Sequence, residues 1–179
     1  NNPGYLGAEF AYDFEDGFEG WTTIDADGDG HNWYHSSTSY EHSATPRPSH
    51  SGTGHLTSES YCFVEEVLNP DNYVVAPEKV AIGSNSVFSF WASAQDAAWA
   101  LEHFGVAVST GDGTTAEEFT TIAEWDMTAK GRQQDSPRGS REEGYGTWYH
   151  YTVDLSEYAG QSLYIAIRHF NSYNQFFLC

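Results

Sequence analysis

The sequence predicts an all-β fold, a jelly-roll β-sandwich with long loops, built as a single domain over residues 1–179. Three observations carry that expectation. Short runs of alternating apolar and polar residues recur along the chain, while an amphipathic helical period is nearly absent. Clusters of Gly, Pro, Ser and Asp, such as Gly111-Asp-Gly113 and Asn69-Pro-Asp71, punctuate those runs. Finally, 12 Tyr, 11 Phe and 6 Trp supply enough bulky side chains for a two-layer core and rule out a solvating, disordered chain.

The elements follow in order. Phe10-Ala-Tyr-Asp-Phe14 alternates and reads as the first strand. Next comes Asp25-Ala-Asp27-Gly-Asp29-Gly-His31, held between Trp21 and Trp33. Three carboxylates at alternate positions repel one another unless a cation sits among them, and Asp-x-Asp-x-Asp-Gly is an order that wraps Ca2+ with hard oxygen ligands. The glycines permit the positive φ that a tight wrap demands. An EF-hand would place a bidentate glutamate where Ser36 stands, and the flanks lack amphipathic helices. We therefore expect a calcium loop on a β-scaffold, the alternative being a solvated, aspartate-rich turn.

The stretch from His35 to Ser60 shows no strand pattern and is expected to be a long loop. Strands are expected at Asp71–Val75, Ser86–Ala92, Phe104–Ser109 and Phe119–Trp125, while Ala97–His103 is the best candidate for a short helix and equally a loop turn. A second long loop, Met127–Gly146, carries Lys130, Arg132, Arg138 and Arg141. Strands then resume at Thr147–Val153, Ser162–Arg168 and Gln175–Cys179. Cys62 and Cys179 both lie in strand-like surroundings, and we expect no disulfide between them.

With 26 acidic residues against 7 basic ones, the net charge of −19 disfavours nucleic acid and anionic membrane surfaces as partners. No apolar run reaches membrane-span length, and the absence of a signal-peptide pattern at Asn1 reads as a mature form or excised segment. Nothing suggests catalysis. The sequence has no Gly-x-Ser-x-Gly and no His-Glu-x-x-His. Glu65-Glu66 and Glu117-Glu118 would point to opposite faces of a strand. His42, His50 and His55 are expected as exposed loop residues rather than zinc ligands, and His169 as packing at a strand end.

Several stretches in fixed order resemble the cleaved adhesin domain of bacterial gingipain and haemagglutinin proteins. They are Trp21-Thr-Thr-Ile-Asp-Ala-Asp-Gly-Asp-Gly30, Asn69-Pro-Asp-Asn-Tyr73 with Val74 and Pro77, and Phe90-Trp-Ala-Ser-Ala-Gln-Asp96. Glu102-His-Phe-Gly-Val106, Gly146-Thr-Trp-Tyr149 with Thr152-Val-Asp-Leu155, and Ile167-Arg-His-Phe170 complete the set. The resemblance implies a jelly roll that binds structural calcium and works as an extracellular binding module. It implies one calcium site at Asp25, Asp27 and Asp29 with the backbone of His31, and a second at Glu15 and Asp71. The implied partner is a host or cell-surface protein or glycan, and the implied location is secreted or cell-surface. A carbohydrate-binding module is the alternative, with Trp99, Tyr145, Trp148 and Tyr173 as the candidate aromatic platform.

Overall fold

The computed structural model describes residues 10–38, 48–62, 66–127 and 146–179. Its strands are β1 (Thr22–Asp25), β2 (Tyr34–His35), β3 (Leu56–Glu59), β4 (Tyr61–Cys62), β5 (Glu66–Val67), β6 (Asp71–Val75) and β7 (Val80–Ala81). They continue as β8 (Val87–Ala92), β9 (His103–Ser109), β10 (Thr120–Asp126), β11 (Tyr149–Asp154), β12 (Ser162–Phe170) and β13 (Phe177–Leu178). Two single 3-10 turns, Ala116–Glu118 and Ser156–Tyr158, are the helical elements among the described residues.

One antiparallel sheet runs β1-β6-β12-β9-β10, with β7 also against β12. The opposing layer joins the pair β11-β8 to the group β13-β3-β2. The joint is backbone: Ser93 and Cys179 exchange N–H···O bonds of 2.9 and 2.8 Å, and the Gln95 N–H donates to Phe177 O at 2.8 Å. The chain crosses repeatedly between layers, from β1 to β2, from β7 to β8, from β10 to β11 and from β12 to β13, as a jelly roll requires.

Between the layers Val74, Phe104, Val106 and Ile165 of the first sheet meet Leu56, Phe88, Val153 and Leu178 of the second. Edge-to-face and tilted contacts among Phe90, Phe104, Trp125 and Tyr151 extend this core. Burial pushes the Tyr151 phenol up to about 12, and the neighbouring Tyr149 adds to the shift. A smaller cluster of Tyr73, Val75, Ala107 and Ala166 covers the outer face of the first sheet, under Phe119 and Ile24.

Three expectations differ from the structure, and one left open is decided. Phe10–Phe14 does alternate, with Phe10, Tyr12 and Phe14 turned inward onto Trp21. It is nevertheless not a strand, since Phe14 turns into the left-handed region at φ 58°. Of the two readings left open for Ala97–His103, the loop turn is the one found, with Asp96 Oδ1 accepting the Ala98 N–H at 2.7 Å in an Asx turn. The His35–Ser60 stretch contains strand β3, whose Leu56-Thr-Ser-Glu59 lacks alternation because all four residues are buried. His50 and His55 are not exposed: His50 stacks on Trp91 at 3.9 Å between ring centroids, and His55 is buried with Nδ1 2.8 Å from Ser49 Oγ. His42 and the charged tip of the second loop, with Lys130, Arg132, Arg138 and Arg141, lie outside the described residues.

Both cysteines are buried and no disulfide joins them. None of the described helical elements is long and apolar enough to cross a membrane.

Candidate functional site

Strand β1 sits at the edge of its sheet, paired with β6 so that Asp25 opposes Asn72. The pairing runs one step further, as the Ala26 N–H donates to Asp71 O at 2.8 Å. The chain then leaves the sheet as a tight loop, with φ of 72° at Gly28 and 85° at Gly30, a region where a side chain is strained. It returns through Asn32, whose Nδ2 donates to Thr23 Oγ1 at 3.1 Å. The loop is locked by Trp33, buried with its indole N–H donating to Asn72 O at 3.0 Å.

Within the loop the backbone orients the acids. Gly28 N–H donates to Asp25 Oδ1 at 2.8 Å, Gly30 N–H to Asp25 Oδ2 at 2.9 Å, and His31 N–H to Asp29 Oδ1 at 2.7 Å. The Asp71 N–H reaches across to Asp27 Oδ1 at 3.2 Å. The result brings one carboxylate oxygen from each of Asp25, Asp27 and Asp29 within 4.8 Å of the others. Two oxygens on one calcium stand no more than about 4.6–5.2 Å apart, twice the Ca–O distance, so the three fit a single ion. Each oxygen that accepts one N–H keeps a lone pair for a cation. The electrostatics agree. Asp27 is pushed up to about 6, first by removal from water and then by the carboxylates of Asp29 and Asp25, against the relief given by the Asp71 N–H. Among the described residues, the two Lys/Arg side chains are engaged elsewhere, Lys79 on Thr110 O and Arg168 on Asp71.

Each of the other two expected ligands makes structural contacts of its own. The Asp71 carboxylate is gripped by Arg168 in a bidentate fork, Nε to Oδ1 at 2.7 Å and a second guanidinium N–H to Oδ2 at 2.8 Å. Arg168 itself lies over the Phe170 ring at 4.1 Å. Asp71 therefore contributes its backbone to the aspartate loop and its side chain to β12.

Glu15 clamps a different loop. Its Oε1 accepts the N–H groups of Thr53 and Gly54, both at 2.8 Å, and its Oε2 accepts Thr53 Oγ1 at 2.9 Å. These bonds hold its carboxyl below the usual range, the Gly54 N–H contributing most. The approach is close enough that a Cβ on Gly54 would stand 2.0 Å from Phe14 O.

Sequence reasoning missed a buried polar bridge between the layers. His169 Nε2 lies 2.7 Å from Glu102 Oε2 and its Nδ1 2.7 Å from Ser58 Oγ, while Ser60 Oγ donates to Glu102 Oε1 at 2.8 Å. All four residues are wholly buried, so this Ser-His-Glu geometry has no access to a substrate and serves packing. Of the expected aromatic platform, Trp148 is buried, Tyr145 lies outside the described residues, and Trp99 and Tyr173 are exposed by 48 and 66 %. Leu101, 59 % exposed, belongs to the same surface, since its N–H donates to Gln175 Oε1 and Gln175 Nε2 donates to Tyr173 O.

Comparison with known proteins places this architecture. A model of the Cleaved Adhesin Domain matches residues 10–179. Hemagglutinin A of Porphyromonas gingivalis is 42 % identical over 160 residues, which covers 86 % of this chain and 6 % of that protein. Lys-gingipain W83 of the same species is 37 % identical over 175 residues, 93 % of this chain and 9 % of that one. The chain thus spans less than a tenth of the length of these relatives. Among solved structures, the K1 cleaved adhesin domain of Lys-gingipain from P. gingivalis W83 superposes with a TM-score of 0.73 at 36 % identity, covering 93 % of this chain and 90 % of that one. The K3 domain of the same protein gives a TM-score of 0.73 at 33 % identity, covering 93 and 89 %.

Proposed function

The chain belongs to the cleaved adhesin domain family, and from that premise we propose that it is a calcium-stabilised extracellular adhesion module for a host or cell-surface macromolecule. It is an adhesin domain rather than the catalytic part of a protease. The observation that carries the calcium reading is the convergence of Asp25, Asp27 and Asp29 within 4.8 Å on a loop braced by glycine and tryptophan. Calcium would offset two of the cluster's three negative charges and take its remaining oxygens from backbone carbonyls, that of His31 first, and from water. The reading is confined to this loop. Glu15 and Asp71 already have structural partners and are not included.

A braced loop at the end of β1 fixes the edge of the first sheet and, through Trp33, the path from one layer to the other. That rigidity is what an adhesion module needs, since contact surfaces held in one shape lose less entropy on binding. The contact surface we assign includes Trp99, Leu101 and Tyr173, large side chains left in solvent on two loops tied together through Gln175.

The exposed pair Trp99 and Tyr173 also supports a second reading, a glycan platform. Adhesion of the labelled chain to immobilised host cells, measured in calcium and in EDTA, tests the main reading. Binding in calcium that falls in EDTA and with Trp99→Ala supports it, and equal binding in both media contradicts it. Competition by free glycan with little salt dependence would select the sugar reading, whereas loss at high salt would select a protein partner.

A further inference from the structure

We propose that His31, Glu59 and Cys62 form a second metal centre, built for a borderline transition metal of the Zn2+ type rather than for calcium. The imidazole nitrogen of His31, a carboxylate oxygen of Glu59 and the sulfur of Cys62 all lie within 4.8 Å of one another. His31 Nδ1 stands 3.4 Å from Glu59 Oε2. In a tetrahedral zinc site, bonds of about 2.0–2.3 Å put neighbouring ligand atoms roughly 3.3–3.6 Å apart, so the His–Glu edge already has the right length. The remaining edges, at most 4.8 Å long, need to close by no more than about 1.5 Å.

The elements that deliver these ligands are held independently. Glu59 ends β3, paired with Phe177 of β13. Cys62 follows in β4 after a turn at Ser60, whose N–H donates to Phe176 O at 2.9 Å and whose carbonyl accepts the Leu68 N–H at 3.1 Å. That turn brings positions 59 and 62 to one side. His31 arrives from the aspartate loop, where its backbone N–H is fixed by Asp29. His31 therefore belongs to two clusters, with its backbone in one and its imidazole in the other.

The chemistry of the donor set decides the metal. Calcium takes oxygen almost exclusively, whereas one nitrogen, one sulfur and one oxygen suit zinc and its neighbours. Charge fits as well. Glu59 is 2 % exposed and Cys62 fully buried, where a carboxylate and a thiolate together are costly to hold without a cation. A divalent ion bound by the carboxylate and the thiolate is neutral overall, the thiol proton leaving to solvent as the sulfur–metal bond forms. His31, its side chain 13 % exposed, is the most accessible of the three, so ion entry and an open fourth position, filled by water, lie on its side.

The test uses cobalt as a spectroscopic stand-in. The metal-free, reduced 179-residue chain is titrated with Co2+ without oxygen, in an excess of calcium that saturates the oxygen site. One equivalent should produce a thiolate-to-cobalt charge-transfer band with the visible bands of a tetrahedral centre, and one equivalent of Zn2+ should bleach both. Cys62→Ser should abolish the charge-transfer band, while Cys179→Ser should keep it. Glu59→Gln should weaken cobalt binding by at least about tenfold, the loss that even an outer-shell partner commonly causes. The near-ultraviolet dichroism of each variant reports whether it is folded. Should Cys62→Ser fail to fold, Glu59→Gln and His31→Gln decide the question by affinity alone. No charge-transfer band, a band that survives Cys62→Ser, or unchanged affinity in the Glu59 and His31 variants would overturn the assignment.

Discussion

Asp27 and Glu15 are both carboxylates, and their surroundings drive them in opposite directions. Asp27 is pushed up to about 6 from 3.8, so its ionised form opposes folding when no cation is bound. That penalty is absent below the unfolded value, grows as pH rises through this interval and is complete above about 6. In EDTA at neutral pH, Asp27→Asn should therefore raise the melting midpoint slightly, the gain in stability staying below about 1 kcal/mol because the group is solvent-screened. The same variant should lose most of its response to calcium. A lower midpoint in EDTA would contradict the crowding. Glu15 is lowered by the N–H groups of Gly54 and Thr53, so its contribution is present above its unfolded value of 4.5 and disappears as pH falls through the folded one. Glu15→Gln should flatten the acid limb of a stability–pH profile, and an unchanged limb would show that the clamp is idle. Of these two roles, the aspartate loop was legible because three acids and two glycines in seven residues announce themselves. The clamp was not, since its partners Thr53 and Gly54 are distant in sequence and carry no pattern of their own.

The long strands were readable where one face is dry and the other less so. Val87–Ala92, Tyr149–Asp154 and Ser162–Phe170 all lie within two residues of their expected positions. Strands of two residues, such as Tyr34–His35 and Val80–Ala81, have no period to detect and are defined by their partners alone. Strand β3 escaped for a different reason. Its side chains are all buried, and Ser58 is satisfied across the sandwich by His169 and Asn72. This bridge between β3, β12 and the segment before β9 is where the two layers are keyed together. Glu102→Ala leaves His169 Nε2 buried without this partner and Ser60 Oγ with only its longer bond to Phe176 O, and should cost about 3–5 kcal/mol in denaturant unfolding. A loss below about 1 kcal/mol would mean that the bridge is incidental. Gly54→Ala, which drives a Cβ into Phe14 O, should likewise lower the midpoint, whereas Gly83→Ala meets only Ser86 Oγ at 3.7 Å and should be tolerated better.

At the scale of the molecule, two antiparallel layers meet an acidic loop at one sheet edge, which folding alone leaves electrostatically frustrated. The chain's net charge of −19 makes such a cluster costly, and an ion that binds only the folded loop turns that cost into stability. Thermal unfolding of the chain in EDTA and in millimolar calcium, with Asp27→Ala alongside, tests this most directly. At a calcium concentration about a hundred times Kd the gain is about 2.7 kcal/mol. For a chain of this size that corresponds to a rise of roughly 5–10 °C in Tm, and the account predicts it for the unmodified protein and its near absence in Asp27→Ala. Equal midpoints in EDTA and calcium for the unmodified protein, or an undiminished rise in Asp27→Ala, would contradict it.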